Sequence, residues 1–170
     1  IVVLNTNNQI GITEDAPYSD LKHPYVMSKV AAEKYLFDKM NSVAMKTVCL
    51  RPRLVWGPGD RTQLPLMHKA VLSGKFWWIN NGSSLTSTTY IGNLTHAVSL
   101  IVGNMSIASG AYFIADAAPH THKVFWTSLL HTMKMEMPSK SLPGWFVLPM
   151  ARVMEKIFSW IAPSKKAPIS

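Results

Sequence analysis

A tyrosine and a lysine stand four residues apart in the run HPYVMSKVAAEKYLFDKM, residues 23–40. On a helix, side chains at i and i+4 lie one above the other, so Tyr25 and Lys29 would bring a phenol and an ammonium onto one face. An ammonium at that range favours the phenolate. The pair is then suited to giving a proton to a substrate oxygen and taking it back, the work of a general acid/base. The spacing alone is a weak signal, because tyrosines and lysines fall four apart by chance in many helices.

The surrounding residues strengthen it. Pro24 suits the first helical position, where a missing N–H costs nothing. Ala31, Ala32 and Leu36 offer a small apolar face for close packing. Upstream, IVVL reads as a short buried strand ending in the polar Asn5 and Thr6, and the end of such a strand is where open α/β sheets place ligand-handling groups.

Beyond this pair the chain alternates as an α/β protein does. A polar loop over 7–22 contains Glu14, the helix over 24–40 follows, and a buried strand over 45–50 is stopped by Arg51-Pro52, since proline cannot donate to a ladder. WGPGD at 56–60 is a stiff turn rather than a phosphate loop. It leads to a helix over 63–73, a short strand over 75–79 (KFWWI) and the turn Asn80-Asn81-Gly82. The β-branched run 86–91 reads as a strand. A helix over 92–102, a strand over 111–115 and a helix over 123–133 follow it.

The motifs together resemble a known family. Thr6 lies five residues before Gly11, and PYVMSK at 24–29, LRPRLVWGPGD at 50–60, TSTTYIGNLTHA at 86–97 and GAYFIAD at 110–116 follow in order. The chain is similar to the carboxy-terminal half of an extended short-chain dehydrogenase/reductase, of the NAD-dependent epimerase/dehydratase and 3β-hydroxysteroid-dehydrogenase-like kind. The resemblance implies an incomplete Rossmann-type doubly wound parallel sheet with a small carboxy-terminal substrate-binding lobe. Residues 1–60 would form the end of the dinucleotide-binding domain and 61–170 mostly the substrate lobe, with 86–116 returning to the Rossmann side.

The implied activity is hydride transfer between a nicotinamide and a secondary alcohol or ketone. Tyr25 would be the general acid/base and Lys29 would tune it and hold the nicotinamide ribose. Thr6 would hydrogen-bond the reacting oxygen. Pro52, Leu54 and Val55 would pass beside the nicotinamide, and Asn7, Asn8, Arg61 and Trp78 would reach the substrate. The cofactor would be NAD or NADP. The nine glycines contain no GxGxxG or GxxGxxG, so the main phosphate-binding turn is expected ahead of Ile1, with the chain a fragment that does not bind dinucleotide by itself.

Dehydratases of this kind follow the threonine with an Asp-Glu pair, whereas this chain has Asn7-Asn8, and amides cannot do that acid/base work. Asn5 replaces the usual serine. The aromatic KFWWI and an apolar tail favour a sterol-like or isoprenoid substrate over a nucleotide sugar; a nucleotide-sugar epimerase and a non-catalytic relative are the alternatives.

Composition excludes other classes. At 170 residues and 48% hydrophobic content the chain can bury a core. Its net charge of +8 is scattered, without a Lys/Arg block, so no nucleic-acid partner is expected. Cys49, the single cysteine, lies in the apolar VCL and reads as a small core residue, which rules out a disulfide framework. No metal is expected either: His96 has no second ligand at i+4, and the His120–His122 pair, best read as capping or exposed, has no further ligand spacing. Residues 143–161 alternate Trp145, Phe146, Met154, Phe158 and Trp160 with Arg152, Glu155 and Lys156. They read as an amphipathic packing helix, with an interfacial membrane helix as the alternative. The expected location is cytoplasmic, with peripheral membrane contact and a homodimer left open.

Overall fold

The computed structural model describes residues 3–4, 10–40, 46–104, 106–147 and 149–150. In chain order the elements are α1 (Pro24–Met40), β1 (Val48–Pro52), β2 (Val55–Trp56), α2 (Gln63–Leu72), β3 (Trp78–Ile79), a 3₁₀ turn (Asn80–Gly82), β4 (Leu85–Thr86), β5 (Thr89–Tyr90), α3 (Ile91–Gly103), β6 (Gly110–Ile114), β7 (His120–Thr121), α4 (His122–Thr132) and β8 (Ser141–Leu142). They fall into two compact units, Ile1–Gly59 with Ser87–Ala118, and Asp60–Thr86 with Pro119–Ser170. Among the described residues no helix is long and apolar enough to cross a membrane.

In the first unit α1 begins at Pro24, where the sequence places its start. Its buried stripe differs from the expected one. Val26 and Glu33 are buried, with Val30, Phe37 and Met40 half-buried beside them, while Ala31, Ala32 and Leu36 face solvent. The true stripe runs through a glutamate, which an apolar pattern cannot reveal.

β1 also differs, running from Val48 through Pro52 in parallel register with β6, from Val48 opposite Gly110 to Pro52 opposite Ile114. Proline ends the strand from inside it, at the last register position, where its missing N–H takes least from the ladder. The run 86–91, expected as one strand, divides at Ser87-Thr88 because it crosses from one unit to the other. β4 pairs antiparallel with β7 in the second unit, and β5 pairs parallel with β2 in the first.

Between β1 and β2 the chain turns at Leu54, whose φ of 42° is left-handed. Thr89, fully buried, holds the turn. Its hydroxyl accepts from the Arg53 N–H at 3.0 Å and lies 2.9 Å from the Arg53 carbonyl and 2.7 Å from that of Ile114, to one of which its proton goes. Asp116 then ties the carboxyl ends of the strands to the start of α3. One oxygen accepts from the Trp56 indole N–H (2.9 Å) and the Thr88 hydroxyl (2.7 Å), the other from the Tyr90 N–H (2.9 Å) and the Asn93 amide (2.8 Å). The Tyr90 ring sits so close to Gly57, whose φ is 134°, that a Cβ there would lie 2.6 Å from Ile91 and 3.0 Å from the ring; only glycine fits.

In the second unit Trp78, Phe125, Trp126 and Leu130 form the core. The strand expected over 75–79 is limited to Trp78 and Ile79, because β8 supplies only two partner residues, Ser141 and Leu142. α4 is capped by neither histidine: Thr121 accepts from the Val124 N–H at 3.2 Å, while His120 lies in β7 opposite Thr86 and His122 opens the helix. A helical turn starts at Gly144, but most of the amphipathic helix expected over 143–161 lies outside the described residues.

Asp116→Ala would remove an acceptor from three side-chain donors and one backbone N–H. The expected loss is about 1–3 kcal/mol, read as a lower urea midpoint; an unchanged midpoint would mean water replaces the carboxylate at no cost.

Candidate functional site

Tyr25 and Lys29 stand on the first turns of α1. Tyr25 is 56% exposed, Lys29 is exposed, and the Lys29 Nζ lies 5.7 Å from the centre of the Tyr25 ring. The structure thus brings a phenol and an ammonium together on a surface that a ligand can reach. Among the described residues Lys29 has no ion-pair partner. The ammonium is left with the ring beside it, within cation–π range.

What holds this helix in place lies beneath it. Arg51, on β1, is 6% exposed, and its guanidinium grips Glu33 of α1, also 6% exposed, through both oxygens: Nη2 to Oε1 at 2.5 Å and Nε to Oε2 at 3.2 Å. Its Nη1 donates to the Glu14 carbonyl at 2.6 Å, which fastens the loop preceding the helix, and its guanidinium carbon lies 5.8 Å from the Phe113 ring centre on β6. The Glu14 side chain accepts from the Phe113 N–H at 2.9 Å, and the Cys49 thiol donates to Glu33 Oε2 at 3.3 Å. One buried ion pair therefore joins loop, helix and sheet.

Charges follow from this geometry. Burial by itself would raise the Glu33 carboxyl, but the hydrogen bonds from Arg51 and Cys49 and the guanidinium charge hold it below the usual carboxylate range. Burial, reinforced by the Glu33 carboxylate, pushes the Cys49 thiol up to about 11, so it is a weak nucleophile. Burial and Glu33 likewise raise the Tyr18 phenol. Tyr18 lines a cleft of about 490 Å³ with Glu14, Phe37, Arg51 and Tyr112.

Pro52 closes β1, Leu54 forms the left-handed turn and Val55 opens β2, with Val55 36% exposed. The Leu54 carbonyl is already committed, accepting from the Thr89 N–H at 3.2 Å. What these residues can offer a ligand is chiefly apolar surface. Thr6, Asn7 and Asn8 lie outside the described residues.

In the second unit Arg61 is exposed. Trp78, expected on a pocket wall, is packed instead: 4% exposed, it donates its indole N–H to the Pro138 carbonyl at 2.9 Å, lies edge-on to Phe76, and leaves no room for a Cβ at Gly82. Its neighbour Trp77 is the open one, 46% exposed with the Lys140 Nζ 5.4 Å from its ring centre. Among the described residues no group of three or more His, Cys, Asp or Glu side chains could hold a metal.

Sequence reasoning missed the partnership of Glu33 with Arg51 and the four-donor carboxylate of Asp116. The first had a usable signal: a glutamate in step with Val26 and Phe37 on a helix, facing an arginine inside an apolar strand.

Comparison with known proteins places the chain. The family profile described as 3-beta hydroxysteroid dehydrogenase/isomerase matches residues 2–144. A 4-hydroxy-2-methyl-3-oxo-4-farnesyl-3,4-dihydroquinoline-1-oxide ketoreductase of Stigmatella aurantiaca is 28% identical over 85% of this chain and 42% of its own length. A 3beta-hydroxysteroid-dehydrogenase/decarboxylase isoform 2 of Arabidopsis thaliana is 29% identical over 89% of this chain and 28% of its own. The chain therefore spans less than half the length of these relatives. Among solved structures, a UDP-glucuronic acid 4-epimerase from Bacillus cereus in complex with NAD superposes with a TM-score of 0.67 at 17% identity, covering 84% of this chain and 47% of that one. This likeness shows the fold, the Rossmann-type α/β arrangement to which the parallel β1–β6 pair belongs.

Acid should unfold the first unit early. The Glu33 and Asp116 carboxyls are held below their ordinary values in the fold, so the stability they supply is complete above about pH 4–5 and is lost as pH falls through their folded values. The raised Cys49 thiol acts in the opposite direction: stability is full below about pH 8.5 and declines towards pH 11. A urea-midpoint profile should show both limbs, and Cys49→Ala should remove the alkaline decline attributable to the thiol. An alkaline limb identical in Cys49→Ala would contradict the thiol's part.

Proposed function

The chain belongs to the 3-beta hydroxysteroid dehydrogenase/isomerase family, and from that premise we propose that the whole protein is an NAD(P)-dependent oxidoreductase interconverting a secondary alcohol and a ketone on a mostly apolar, sterol-like or isoprenoid substrate. The observation that carries this reading is the Lys29 ammonium 5.7 Å from the centre of the Tyr25 ring, both residues open to solvent on a helix anchored from below.

These residues fit the ribose end of a nicotinamide cofactor: an ammonium and a hydroxyl side by side can hydrogen-bond a vicinal diol, and Pro52, Leu54 and Val55 offer apolar surface at a strand end, where α/β sheets receive such ligands. When bound, NAD or NADP supplies or accepts the hydride. In the reductive direction Tyr25 donates its hydroxyl proton to the substrate carbonyl oxygen; in the oxidative direction its phenolate takes the proton of the alcohol. Lys29 stabilises the phenolate in both. Thr6 would hydrogen-bond the same oxygen, and Asn7, Asn8, Arg61 and the exposed Trp77 would meet the rest of the substrate.

An apolar substrate is favoured by the activities that the two relatives are named for, which concern a farnesyl quinoline and steroids. Trp145, 76% exposed, and Phe146, 50% exposed, followed by Arg152, Lys156, Lys165 and Lys166, favour peripheral contact with an anionic membrane. Exposed Tyr35 and Leu36 on α1 favour a homodimer.

Tyr25→Phe in the whole protein should lower turnover about 10²–10⁴-fold with NAD affinity nearly intact, whereas Lys29→Ala should impair both. Retention of more than about a tenth of the rate in Tyr25→Phe would overturn the assignment. In substrate screens of the same protein, sterols, isoprenoid alcohols or aromatic ketones should respond; response to UDP-sugars alone would turn the reading to an epimerase.

A further inference from the structure

Glu33 occupies a position with two candidate partners. It lies one helical turn beyond Lys29, at the i+4 spacing that lets a carboxylate reach an ammonium on the same helix. It is nevertheless turned inward, with Oε1 on the Arg51 Nη2 and Oε2 shared between the Arg51 Nε and the Cys49 thiol. Lys29 stays exposed and, among the described residues, without an ion pair. We propose that Arg51 is a positioning residue for Lys29: by occupying both oxygens of Glu33 it keeps the carboxylate one turn away off the ammonium, leaving Lys29 available to Tyr25 and to the cofactor. This inference rests on the reading of Lys29 as a cofactor and tyrosine partner, and goes beyond it by assigning a role to a buried arginine that touches neither.

The charges around Glu33 make the competition direct. Arg51 and Cys49 face it from β1, Tyr18 from the preceding loop, and Lys29 shares its helix. Of these Arg51 is the only cation packed against it. A buried carboxylate deprived of its cation is costly where it stands, and the helix offers it an ammonium one turn back towards the amino terminus. Capturing Lys29 in this way would tie up the group on which the proposed chemistry relies.

The competition can be read without any activity. Acetylation of individual lysines by a small amine-reactive ester, followed by mass spectrometry on the native chain, reports how freely each ammonium gives up its proton and reacts, with exposed Lys75 of the second unit as internal standard. In Arg51→Met the rate at Lys29 should fall about 1.5- to 2-fold relative to Lys75, the effect expected when an i, i+4 pair forms. In Arg51→Met/Glu33→Gln the rate should return to the wild-type value, although the buried ion pair is still gone. An unchanged Lys29 rate in the single variant overturns the proposal, as does a fall that persists in the double variant, since a loosened helix and not the carboxylate would then be the cause.

If Arg51→Met does not fold, Ala32→Glu places a carboxylate at an exposed position three residues from Lys29 without touching the buried pair. It should slow Lys29 similarly, and an unchanged rate there also overturns the proposal. NAD titration of the whole protein adds the functional arm: affinity should weaken in the single variant and recover in the double. Labelling that follows the pattern while NAD affinity does not would uphold the Arg51–Glu33–Lys29 relation and overturn the placement of Lys29 at the cofactor.

Discussion

A buried arginine must find a carboxylate or the fold cannot bear it, and here that requirement organises the first unit. Arg51 and Glu33 are both almost fully buried, and each would be costly alone. Together, with the Glu14 carbonyl and the Cys49 thiol completing their hydrogen bonds, they fix where α1 lies on β1 and where the preceding loop runs. Such a pair adds little net stability over an apolar replacement, because desolvation offsets most of the attraction. What it supplies is register: a hydrophobic stripe can slide along a sheet, whereas a bidentate pair has one position.

That register passes to the surface. Tyr25 and Lys29 stand exposed on the same helix, two turns and one turn ahead of Glu33. Their relation to each other is local and follows from helical pitch, but their relation to the sheet depends on the pair beneath. Just beyond the carboxyl ends of the same strands Asp116 and the buried Thr89 do comparable work for the Leu54 turn and α3, again by satisfying polar groups. Among the described residues of this unit the buried apolar side chains are few, Val3, Leu4 and Val26, and much of its definition comes from these satisfied polar groups.

The features legible in the sequence were those with local causes. α1 has its expected bounds because Pro24 starts it and helix-forming residues run without a break to Met40. The motifs led to the family because they keep their order along the chain. The failures were non-local. Glu33 and Arg51 are eighteen residues apart and meet only through the fold, so local pattern points to Ala31, Ala32 and Leu36 as the packing face of α1. The run 86–91 looked like one strand because alternation and β-branching cannot show that Thr86 and Thr89 belong to different units. Trp78 and Trp77 are indistinguishable by type, and only the fold shows which is packed and which is open.

The central claim is that the buried pair holds in place the helix carrying Tyr25 and Lys29. Amide hydrogen exchange along α1, compared between the wild-type chain and Glu33→Gln, tests it directly. Breaking one side of a buried pair costs about 3–5 kcal/mol, so protection should fall by at least about a hundredfold across the α1 amides, those around Tyr25 and Lys29 included, while α4 in the second unit keeps its own. Unchanged protection at the first turns of α1 would contradict the account.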